Sequence, residues 1–346
     1  MKKLSFINKI IYFINAVFAI LLLLSYLLPF TPPKTFSVLS VLSLGVAFLI
    51  LCNTLFFLYW LIRLKKQLIL SLTVLVIGYV FFGSLYKFSS SNQVKSPSNF
   101  KVMNYNVRLF NLYNWIDEDS IETEIVDFIK TESPEIISIQ EYHPHKNIDL
   151  SSFKYKFEKL SGKKTKYGQA IFSQYPIINS GSIEFPNTGN NAIFADVVKG
   201  IDTIRIYNIH LESLRINTQV ESLKKENSER LFNRVGTKFK MQQFQTELFL
   251  MHKKQCNYKM IICGDFNNTA FSYVYRKIKG DLNDAFIEAG NGFGQTYDFK
   301  FFPIRIDFIL TDDAFSVNGF KAYNAHNAHN AHYSDHYPIM ATLSLE

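Results

Sequence analysis

Cysteine is scarce in this sequence of 346 residues, which contains only three copies. They are Cys52, in a long apolar run, Cys256, and Cys263, in a predicted buried strand. Three such residues cannot form a disulfide framework or a cysteine-rich zinc site. The chain is long enough for one large domain or two smaller ones, with an ample hydrophobic core.

Asp and Glu are absent from the first 95 residues, which contain nine Lys and Arg side chains. Because the whole chain has 37 basic and 29 acidic residues, residues 96–346 carry 28 basic and 29 acidic side chains. The formal net charge of +8 is therefore located in the N-terminal segment. A protein that binds duplex DNA normally has a basic footprint in the domain that contacts the duplex. Residues 96–346 lack that footprint in bulk, although their balance does not exclude a local basic patch.

Long apolar runs fill the N-terminal segment. They span Ile10–Phe30, Phe36–Ile62 and Gln67–Tyr86, and each reaches the roughly 20 residues that a membrane-spanning helix needs. A cleaved signal peptide does not fit the first run, because the run is too long and no small-residue cleavage site follows it. We therefore predict a membrane anchor over residues 1–88, with three transmembrane helices at 10–30, 36–62 and 67–86.

Basic residues predict how this anchor is oriented. Three lysines precede the first run (residues 2, 3 and 9) and three basic residues separate the second run from the third (residues 63, 65 and 66), whereas only Lys34 separates the first two. Cytoplasmic loops carry such an excess of Lys and Arg. We therefore predict a multi-pass protein of the inner (cytoplasmic) membrane in which everything after Tyr86 is extracytoplasmic, or periplasmic. Asn53, within the second run, is expected to form a helix–helix hydrogen bond rather than a functional polar site.

A polar stretch without periodicity, residues 89–99, is predicted to be a linker to a soluble domain over residues 100–346. Strand and helix patterns alternate at the start of that domain, which is typical of a layered α/β fold. The predicted strands are Phe100–Asn106, Ile136–Gln140, Ala170–Ser173, Ala192–Val198, Ile204–Ile209, Met260–Gly264, Arg305–Leu310 and Ile339–Leu345. The predicted helices are Ile116–Thr131 and Asn217–Lys254.

A triplet repeat at Asn324–His332 places three histidines at intervals of three. Three imidazoles on a helix could bind a transition metal. A loop lengthened by duplication of a triplet explains the same pattern, and the lack of a carboxylate to orient the imidazoles favours it.

The stretch Lys259–Asn267 is the first candidate for chemistry. Its mostly apolar residues Met260–Gly264 predict a buried strand that ends in Asp265 and Asn267. Residues two apart in an extended chain share a face, so both side chains can enter one pocket. An ordinary Asp-Phe-Asn-Asn turn is the alternative for these residues taken alone.

Other predicted strands also end in, or lie next to, polar and ionisable side chains. These side chains are Asn104, Asn106, Glu141, Asn208, His210, Asp307, Asp335 and His336. Each one alone has an ordinary explanation, such as a solvated strand end, a core histidine or a turn acceptor. Together with Asp265 and Asn267 they form a set of carboxylates, imidazoles and amides that is typical of a hard-cation site with acid–base partners.

These residues occur in ordered motifs that resemble those of the endonuclease/exonuclease/phosphatase superfamily, the deoxyribonuclease I-like metal-dependent phosphodiesterases. The motifs are Asn104-Tyr-Asn-Val-Arg108, Ile139-Gln-Glu141, Gly168-Gln-Ala-Ile-Phe-Ser173 with Tyr175-Pro-Ile177, Asn208-Ile-His210, Gly264-Asp-Phe-Asn267, Arg305-Ile-Asp307 and Ser334-Asp-His336. Each motif is weak alone, but seven of them in order are specific. The resemblance covers about residues 100–346 and leaves the membrane anchor outside.

The resemblance implies a four-layer α/β fold, in which two packed mixed β-sheets flanked by helices carry the site at one end. It also implies that Glu141 and Asp335 hold Mg²⁺ or Mn²⁺, with Asn106 beside them. Oxygen ligands of this kind suit hard divalent ions.

The resemblance further implies how the other site residues act. Asp307 would orient His336, which would act as a base or a phosphate clamp, while Asp265 would position the nucleophile. His210 would donate a hydrogen bond to a non-bridging oxygen or to the leaving group. The residues expected to contact the substrate phosphate are Asn267, Asn208 and His210.

The expected function is that of a membrane-anchored, Mg²⁺- or Mn²⁺-dependent phosphoester hydrolase of the phosphodiesterase, nuclease or phosphatase type. Its substrate would be a lipid head group, an inositol phosphate or a nucleic acid; the lipid bilayer is its other partner, and no obligate protein partner is evident. The Asn-Ile-His motif resembles the deoxyribonuclease, inositol-phosphatase and sphingomyelinase branches more than the abasic-site enzymes. A catalytically inactive member that binds a phosphorylated ligand is the alternative, and it is disfavoured because every expected polar position is filled.

Overall fold

The computed structural model describes residues 4–82, 85–88, 97–118, 120–216, 228–299, 302–324 and 333–345. Its N-terminal part consists of apolar helices. They are α1 (Phe6–Ser25), α2 (Ser37–Val41), α3 (Val46–Ile62) and α4 (Leu68–Phe82). A 3₁₀ turn at Leu28–Phe30 follows α1, and a second one at Leu42–Gly45 joins α2 to α3.

Buried polar side chains connect α1, α3 and α4 into a bundle. Asn15 donates to Ser71 Oγ at 2.6 Å and accepts from the Trp60 indole at 3.0 Å, so one amide contacts a side chain on each of the other two helices. Asn53 donates to the carbonyl of Phe18 at 3.1 Å, which is the helix–helix hydrogen bond predicted for it. Such bonds help to hold apolar helices together where burial of apolar surface alone cannot.

Two of the three predicted spans have the length of a membrane-crossing helix. Within the described residues, Phe6–Phe30 and Ser37–Ile62 are long and apolar enough, with only 28% and 22% of their apolar windows buried. The third, α4, has 15 residues, about 22 Å at 1.5 Å per residue, which is shorter than the roughly 30 Å hydrocarbon core of a bilayer. The helix stops short of the predicted end at Tyr86, and Lys87 pairs instead with the backbone of Gly292.

The second part of the chain forms two six-stranded sheets. Its strands are β1 (Phe100–Asn106), β2 (Ile136–Tyr142), β3 (Tyr155–Ser161), β4 (Tyr167–Ser173), β5 (Ile177–Glu184), β6 (Asn191–Lys199), β7 (Asp202–His210), β8 (Lys259–Asp265), β9 (Asn283–Asp284), β10 (Asp307–Thr311), β11 (Phe315–Ala322) and β12 (Ile339–Leu345). One sheet has the order β11-β12-β1-β2-β4-β3 and the other the order β5-β6-β7-β8-β10-β9. Both are mixed, because β1 runs parallel to β2, and β7 to β8, among antiparallel neighbours.

Three helices cover the outer faces of the sheets, α5 (Ile121–Glu132), α6 (Ser228–Lys253) and α7 (Tyr273–Lys279). The short helix α8 (Ala285–Ala289) instead packs into the core between the sheets. The central core lies between the sheets, where side chains such as Val102 and Ile206 pack together. A second core joins α5 to the first sheet and a third joins α6 and α7 to the second sheet. The predicted arrangement of two packed mixed sheets flanked by helices is confirmed.

The strands missed by the sequence analysis lie at sheet edges. All eight predicted strands form, β1 and β12 with the predicted boundaries and the other six with shifted ones. The four edge strands, β3, β5, β9 and β11, were not predicted. An edge strand buries less of its length, and the residues of β5 are all partly or fully exposed, so its apolar pattern is weak. The helix predicted from Ile116 begins at Ile121, and only Ser228–Lys253 of the other predicted helix is described. Residues 325–332 of the triplet repeat lie outside the described residues.

The anchor packs directly against the second part of the chain, beyond the predicted linker. α2 rests on α6 through a shared apolar cluster. The backbone N–H of Lys34 donates to Gln243 at 2.8 Å, and its ammonium group pairs with Glu247. The guanidinium of Arg276 lies 4.0 Å above the ring of Phe30, at the end of the first span. The loop between the first two spans therefore lies on the same side as the two-sheet domain.

Gly264, directly before Asp265 in β8, is required by the close approach of β7. A Cβ atom there would lie 2.2 Å from the carbonyl oxygen of Ile209. We predict that Gly264→Ala lowers the free energy of unfolding by about 1–3 kcal/mol, the usual result of overpacking a rigid core. Each kcal/mol should lower the melting temperature of a protein of this size by roughly 2–4 °C. Thermal unfolding of the full chain in detergent measures the shift.

Gly189→Ala is the matched control, because a Cβ atom at that position would meet only the Tyr167 hydroxyl at an ordinary 3.7 Å. Its effect should stay within about 0.5 kcal/mol, as for other surface substitutions. Equal melting temperatures for the two variants would show that β7 moves away from residue 264 without cost.

Candidate active site

Ionisable side chains converge at one edge of the two packed sheets. Asn106 ends β1, and His210 ends β7 in register with Asp265, the last residue of β8. Asp265 is also paired with Asp307, the first residue of the antiparallel strand β10. Because parallel neighbours end at the same edge of a sheet, this topology gathers side chains from segments that are far apart in sequence.

Two site residues have a left-handed backbone that is uncommon for side chains other than glycine. Glu141 has φ of 51° and Asn267 has φ of 49°. Glu141 lies where the pairing of β2 with β4 shifts between Ile139 and Tyr142, at an irregularity that turns its side chain out of the regular alternation. Such conformations cost of order 1–3 kcal/mol and cluster at functional sites.

The carboxylate of Asp265 lies at the centre of the site and is 1% exposed. It accepts hydrogen bonds from Asn106 Nδ2 at 3.1 Å, from the backbone N–H of Asn267 at 2.7 Å and from Asn267 Nδ2 at 3.1 Å. Nε2 of His210 and Nε2 of His336 lie 3.6 and 3.7 Å from its Oδ2 atom. Burial raises the pKa of Asp265, while the positive charge of His336 opposes that rise.

A buried carboxylate holds His336 in place. Nδ1 of His336 lies 3.0 Å from Oδ2 of Asp307, the contact predicted for this pair. Since a carboxylate only accepts, Nδ1 carries the proton and Nε2 faces Asp265. Thr296 Oγ1 accepts the backbone N–H of Asp307 at 3.1 Å and so fixes the start of β10. Arg305, the cation two residues before Asp307, donates to Asp284 at 2.7 Å.

The two imidazoles are in opposite protonation states at neutral pH. Burial alone would lower the pKa of His336, but the carboxylates of Asp307 and Asp265 outweigh it and raise the pKa to about 10. Burial, together with the charge of His336, lowers the pKa of His210 to about 3. His336 is therefore a cation, and His210 is a neutral hydrogen-bonding group.

Asn208 lies beneath the site and does not enter it. Its amide nitrogen donates to the carbonyls of Ile139 and Ala170 at 2.9 and 3.2 Å, and its oxygen accepts from Gln140 at 2.6 Å. Gln140 also donates to Asn104 at 2.7 Å, so the buried amides tie the two sheets together. Because both amide protons and the oxygen of Asn208 are engaged, the geometry does not support its predicted contact with a substrate phosphate.

Glu141 and Asp335 lie at the open side of the site, with side chains 34% and 30% exposed. Arg108 places Nε 3.5 Å from the Asp335 carboxylate, and its guanidinium lies 4.6 Å above the Trp115 ring. Asn106 turns its amide nitrogen toward Glu141 at 3.5 Å, while its oxygen accepts the backbone N–H of Arg108 at 3.1 Å. In this orientation the amide nitrogen of Asn106 faces the carboxylates, and its oxygen is not available as a ligand for a metal ion held by them.

Carboxyl groups outnumber cationic groups at the site. Four of them, on Glu141, Asp265, Asp307 and Asp335, face the guanidinium of Arg108 and the imidazolium of His336. Burial, reinforced by Asp335 and opposed by His336, raises the pKa of Glu141. A divalent cation would compensate this surplus, and the oxygen donors of the site suit a hard ion such as Mg²⁺ or Mn²⁺.

A buried group of Asp265, Asp307 and His336 presents potential ligand atoms within 4.8 Å of one another. This group can also hold a metal ion. The bond between His336 Nδ1 and Asp307 Oδ2 already occupies two of the candidate ligand atoms. The arrangement is therefore better described as a hydrogen bond between Asp307 and His336, with the other ring nitrogen of His336 3.7 Å from Asp265.

Two residues that shape the site received no role in the sequence analysis. Tyr297 packs its ring against that of His336, with centroids 5.0 Å apart, and its backbone pairs with the same residue. It lies in an irregular segment that carries no recognisable pattern. Arg108 lies two residues after Asn106, the end of β1, and this position next to a predicted site residue could have indicated that it belongs to the site.

The fold and the edge at which these residues meet are those of an α/β sandwich hydrolase. A family model described as the Endonuclease/Exonuclease/phosphatase family matches residues 103–336. The chain therefore belongs to this family, as its motifs predicted. Residues 8–85 match a second model, described as a domain of unknown function (DUF8431). A comparison with curated proteins found no match.

Solved structures with the same fold include bacterial and eukaryotic proteins. An endonuclease/exonuclease/phosphatase from Bacteroides vulgatus is 17% identical with a TM-score of 0.54, covering 73% of this chain and 100% of its own. The catalytic domain of human Nocturnin, with bound sulfate, is 17% identical with a TM-score of 0.52, covering 72% and 94%. D. rerio TDP2, in complex with a single-strand DNA product, is 16% identical with a TM-score of 0.52, covering 71% and 99%. At these identities the likeness establishes a shared fold alone.

The bond between Asp307 and His336 generates a prediction for phosphoester turnover. We expect His336→Ala to remove nearly all turnover, and Asp307→Asn to lower kcat by about 10²–10⁴-fold, because the amide no longer holds the imidazole in the required tautomer and charge state. KM should change little, since neither substitution removes the bulk of the site. Initial rates with bis(p-nitrophenyl) phosphate and the full chain in detergent measure both parameters.

Asp202→Asn is the control for these variants. Asp202 pairs with Lys259 at 2.8 Å at the opposite end of β7, so its carboxylate is far from the reacting groups. Its loss should leave the rate within twofold, as for a surface ion pair of about 0–1 kcal/mol. An Asp307→Asn enzyme that is as fast as this control would contradict the role of the pair.

Proposed function

We propose that this protein is a membrane-anchored phosphoester hydrolase that depends on Mg²⁺ or Mn²⁺. The observation that carries the proposal is the buried group of Asp307, His336 and Asp265 beside the partly exposed carboxylates of Glu141 and Asp335. The site thus contains an oriented cation, His336, a buried carboxylate, Asp265, and two further carboxylates at its open side. Two proteins of the same fold were solved with anions bound, Nocturnin with sulfate and TDP2 with a single-strand DNA product. A phosphoester is an anion of the same kind.

Asp265 and His336 carry the proposed proton transfer and charge stabilisation. A carboxylate whose pKa is raised by burial is a competent base near neutral pH, so Asp265 accepts the proton of an attacking water. Asn267, bonded to both oxygens of Asp265, orients that carboxylate. Its second amide proton goes to the carbonyl of Leu211 at 3.0 Å, so the geometry does not support its predicted contact with the phosphate either. His336 faces the negative charge that develops on the phosphate oxygens. A base role for His336 fits less well, because its pKa is raised.

His210 completes the set as a neutral donor. Its Nε2 atom lies 3.6 Å from Asp265 and 4.0 Å from Glu141. A neutral imidazole with one N–H group can donate to a non-bridging oxygen or to the leaving-group oxygen. Glu141 and Asp335 would hold the divalent ion, with Asn106 bonded to the carboxylates. When bound, the ion supplies neutralisation of charge on the phosphate oxygens.

The metal assignment predicts that hydrolysis of bis(p-nitrophenyl) phosphate by the full chain requires Mg²⁺ or Mn²⁺ and stops in excess EDTA. Glu141→Gln should weaken Mn²⁺ binding by about tenfold or more, because it removes a charged oxygen ligand from the site. Isothermal titration with Mn²⁺ measures the affinity independently of turnover.

Glu184→Gln is the matched control for this measurement. Glu184 is an exposed glutamate that pairs with Lys159 at 2.9 Å on an edge strand, and it should bind no catalytic ion. Full turnover in EDTA, or equal Mn²⁺ affinities for the two variants, would contradict the metal assignment.

Contacts of the anchor support a catalytic domain outside the cytoplasm. Tyr59, near the end of α3, donates to Asn8 at 2.7 Å, so the N-terminus and the basic loop after α3 lie at the same end of the bundle. Lys34 and Lys87, before α2 and after α4, contact the catalytic domain at the other end. The short helix α4 therefore runs from the basic end to the catalytic end. Since basic loops are retained in the cytoplasm, the catalytic domain is extracytoplasmic, or periplasmic.

This topology predicts that alkaline phosphatase fused after Glu346 is active and that green fluorescent protein at the same position is dark. The matched fusions after Lys66, in the basic loop, should give the reverse pattern. Alkaline phosphatase activity after Lys66 with fluorescence after Glu346 would overturn the topology. Enzyme assays and fluorescence of whole cells read out both pairs.

A further inference from the structure

An apolar cavity of about 510 Å³ lies where the anchor meets the catalytic domain. Its volume is within the roughly 300–1,000 Å³ that is typical of ligand-binding pockets. α3 and α4 line one side through residues between 47 and 54 and between 75 and 79. The catalytic domain lines the other side with four ring-containing residues, Phe271, Phe293, Phe302 and Pro303. None of these residues has a part in the proposed reaction.

The cavity occupies the half of the helix bundle that is next to the catalytic domain. Its α3 residues belong to the first half of that helix and extend over about 10 Å, less than the roughly 15 Å of one leaflet of the hydrocarbon core. The outer faces of the lining helices are apolar and exposed, with Leu55 57% and Val80 66% exposed. Faces of this kind contact lipid when they cross a bilayer. The cavity therefore opens toward the lipid chains of the leaflet on the catalytic side.

Short segments connect the walls of the cavity to the catalytic residues. Phe271 follows Asn267 by four residues and packs in one cluster with residues of α1, α3 and α4. Pro303 precedes Asp307 by four residues. Four residues span at most about 14 Å, so the catalytic groups lie within that reach of the cavity. The headgroup layer of a bilayer is about 5–8 Å thick on each side, a comparable distance.

A second, smaller cavity continues the first toward the site. It shares six lining residues with the larger cavity, among them Phe271, Phe302 and Pro303, and extends to Thr269 and Ile304. Exposed basic residues flank the same side of the domain, where Arg276 stacks on Phe30 at the end of the first span. Basic groups at this level attract the phosphates of anionic lipids.

We propose that the larger cavity binds an acyl chain of a bilayer lipid, so that a phospholipid is the substrate class of this hydrolase; the inference rests on the proposed function. A lipid held in this way presents its phosphate at the level of the segments that lead to Asn267 and Asp307. Water then adds to phosphorus, one phosphoester P–O bond breaks, and the leaving oxygen takes a proton. No reactant besides water and the lipid is required.

Filling the cavity tests the proposal in the full chain reconstituted into vesicles of phosphatidylethanolamine and phosphatidylglycerol. Leu51→Trp with Val76→Trp places two large rings at lining positions on α3 and α4. Leu55→Trp with Val80→Trp is the matched control, one helical turn away on the same exposed faces of the two helices, at positions that do not line the cavity. None of these residues belongs to the catalytic machinery, so turnover of bis(p-nitrophenyl) phosphate should stay within twofold in both variants.

The filled variant should release phosphate-containing headgroup from the vesicles at least about tenfold more slowly than the control, as expected when binding energy for the substrate is removed. A phosphatidylcholine with a photoactivatable acyl chain should label residues 47–54 and 75–79 in the control and not in the filled variant. The labelling is independent of turnover.

Two outcomes separate the two proposals. If the wild-type protein hydrolyses the soluble ester but releases no headgroup, or if both variants act equally on vesicles, the phospholipid inference is overturned while the hydrolase stands. If the soluble ester is not hydrolysed with Mg²⁺ or Mn²⁺, the proposed function fails. In that case the labelling experiment still tests whether the cavity binds an acyl chain. Equal labelling of both variants would contradict acyl-chain binding in the cavity.

Discussion

The buried carboxylate of Asp265 is the group on which the arrangement of the site depends. A charge in the protein interior costs several kcal/mol unless hydrogen bonds and opposite charges compensate it. Here the compensation comes from Asn106 in the other sheet, from Asn267 two residues later, and from the imidazolium of His336. The sheets must therefore meet at this edge, and the chain must turn sharply after β8 into the left-handed conformation of Asn267. Both requirements are local consequences of stabilising one carboxylate.

A layer of buried amides beneath Asp265 keeps the two sheets in register. Gln140 donates to Asn104 in its own sheet and to Asn208 in the other, and Asn208 donates back across the interface. Buried amides with engaged donors resist sliding, because any shift leaves a polar group unsatisfied in a low-dielectric interior. The positions of His210 and Glu141, one at a strand end and one at an irregularity, are thus set by polar contacts as well as by apolar packing.

Contacts between the apolar helices and the two-sheet domain give the site a defined position relative to the helix bundle. Phe271 is the clearest example, because it stands four residues after Asn267 and packs among the membrane helices. α2 on α6, and Arg276 on Phe30, hold the same face of the domain against the bundle. A domain on a flexible tether would sample many heights above the membrane. In the proposed membrane topology, this packing keeps the site near the level of the lipid headgroups, and the proposed phospholipid substrate rests on that position.

From its residues alone, the chain could be assigned its central strands, its apolar helices and most of the side chains that meet at the candidate site. Central strands are buried on both faces and read as apolar runs, and a charged residue within one, such as Asp307, implies a partner, which is His336. Only the tertiary structure decided the edge strands, the short α4, the contact of Tyr297 with His336 and the position of Asn208 beneath the site. Edge strands bury little, and the pattern of a strand end does not show which side chain faces solvent and which crosses to the other sheet. That choice depends on contacts between residues far apart in sequence, so it appears only when the two sheets are packed together.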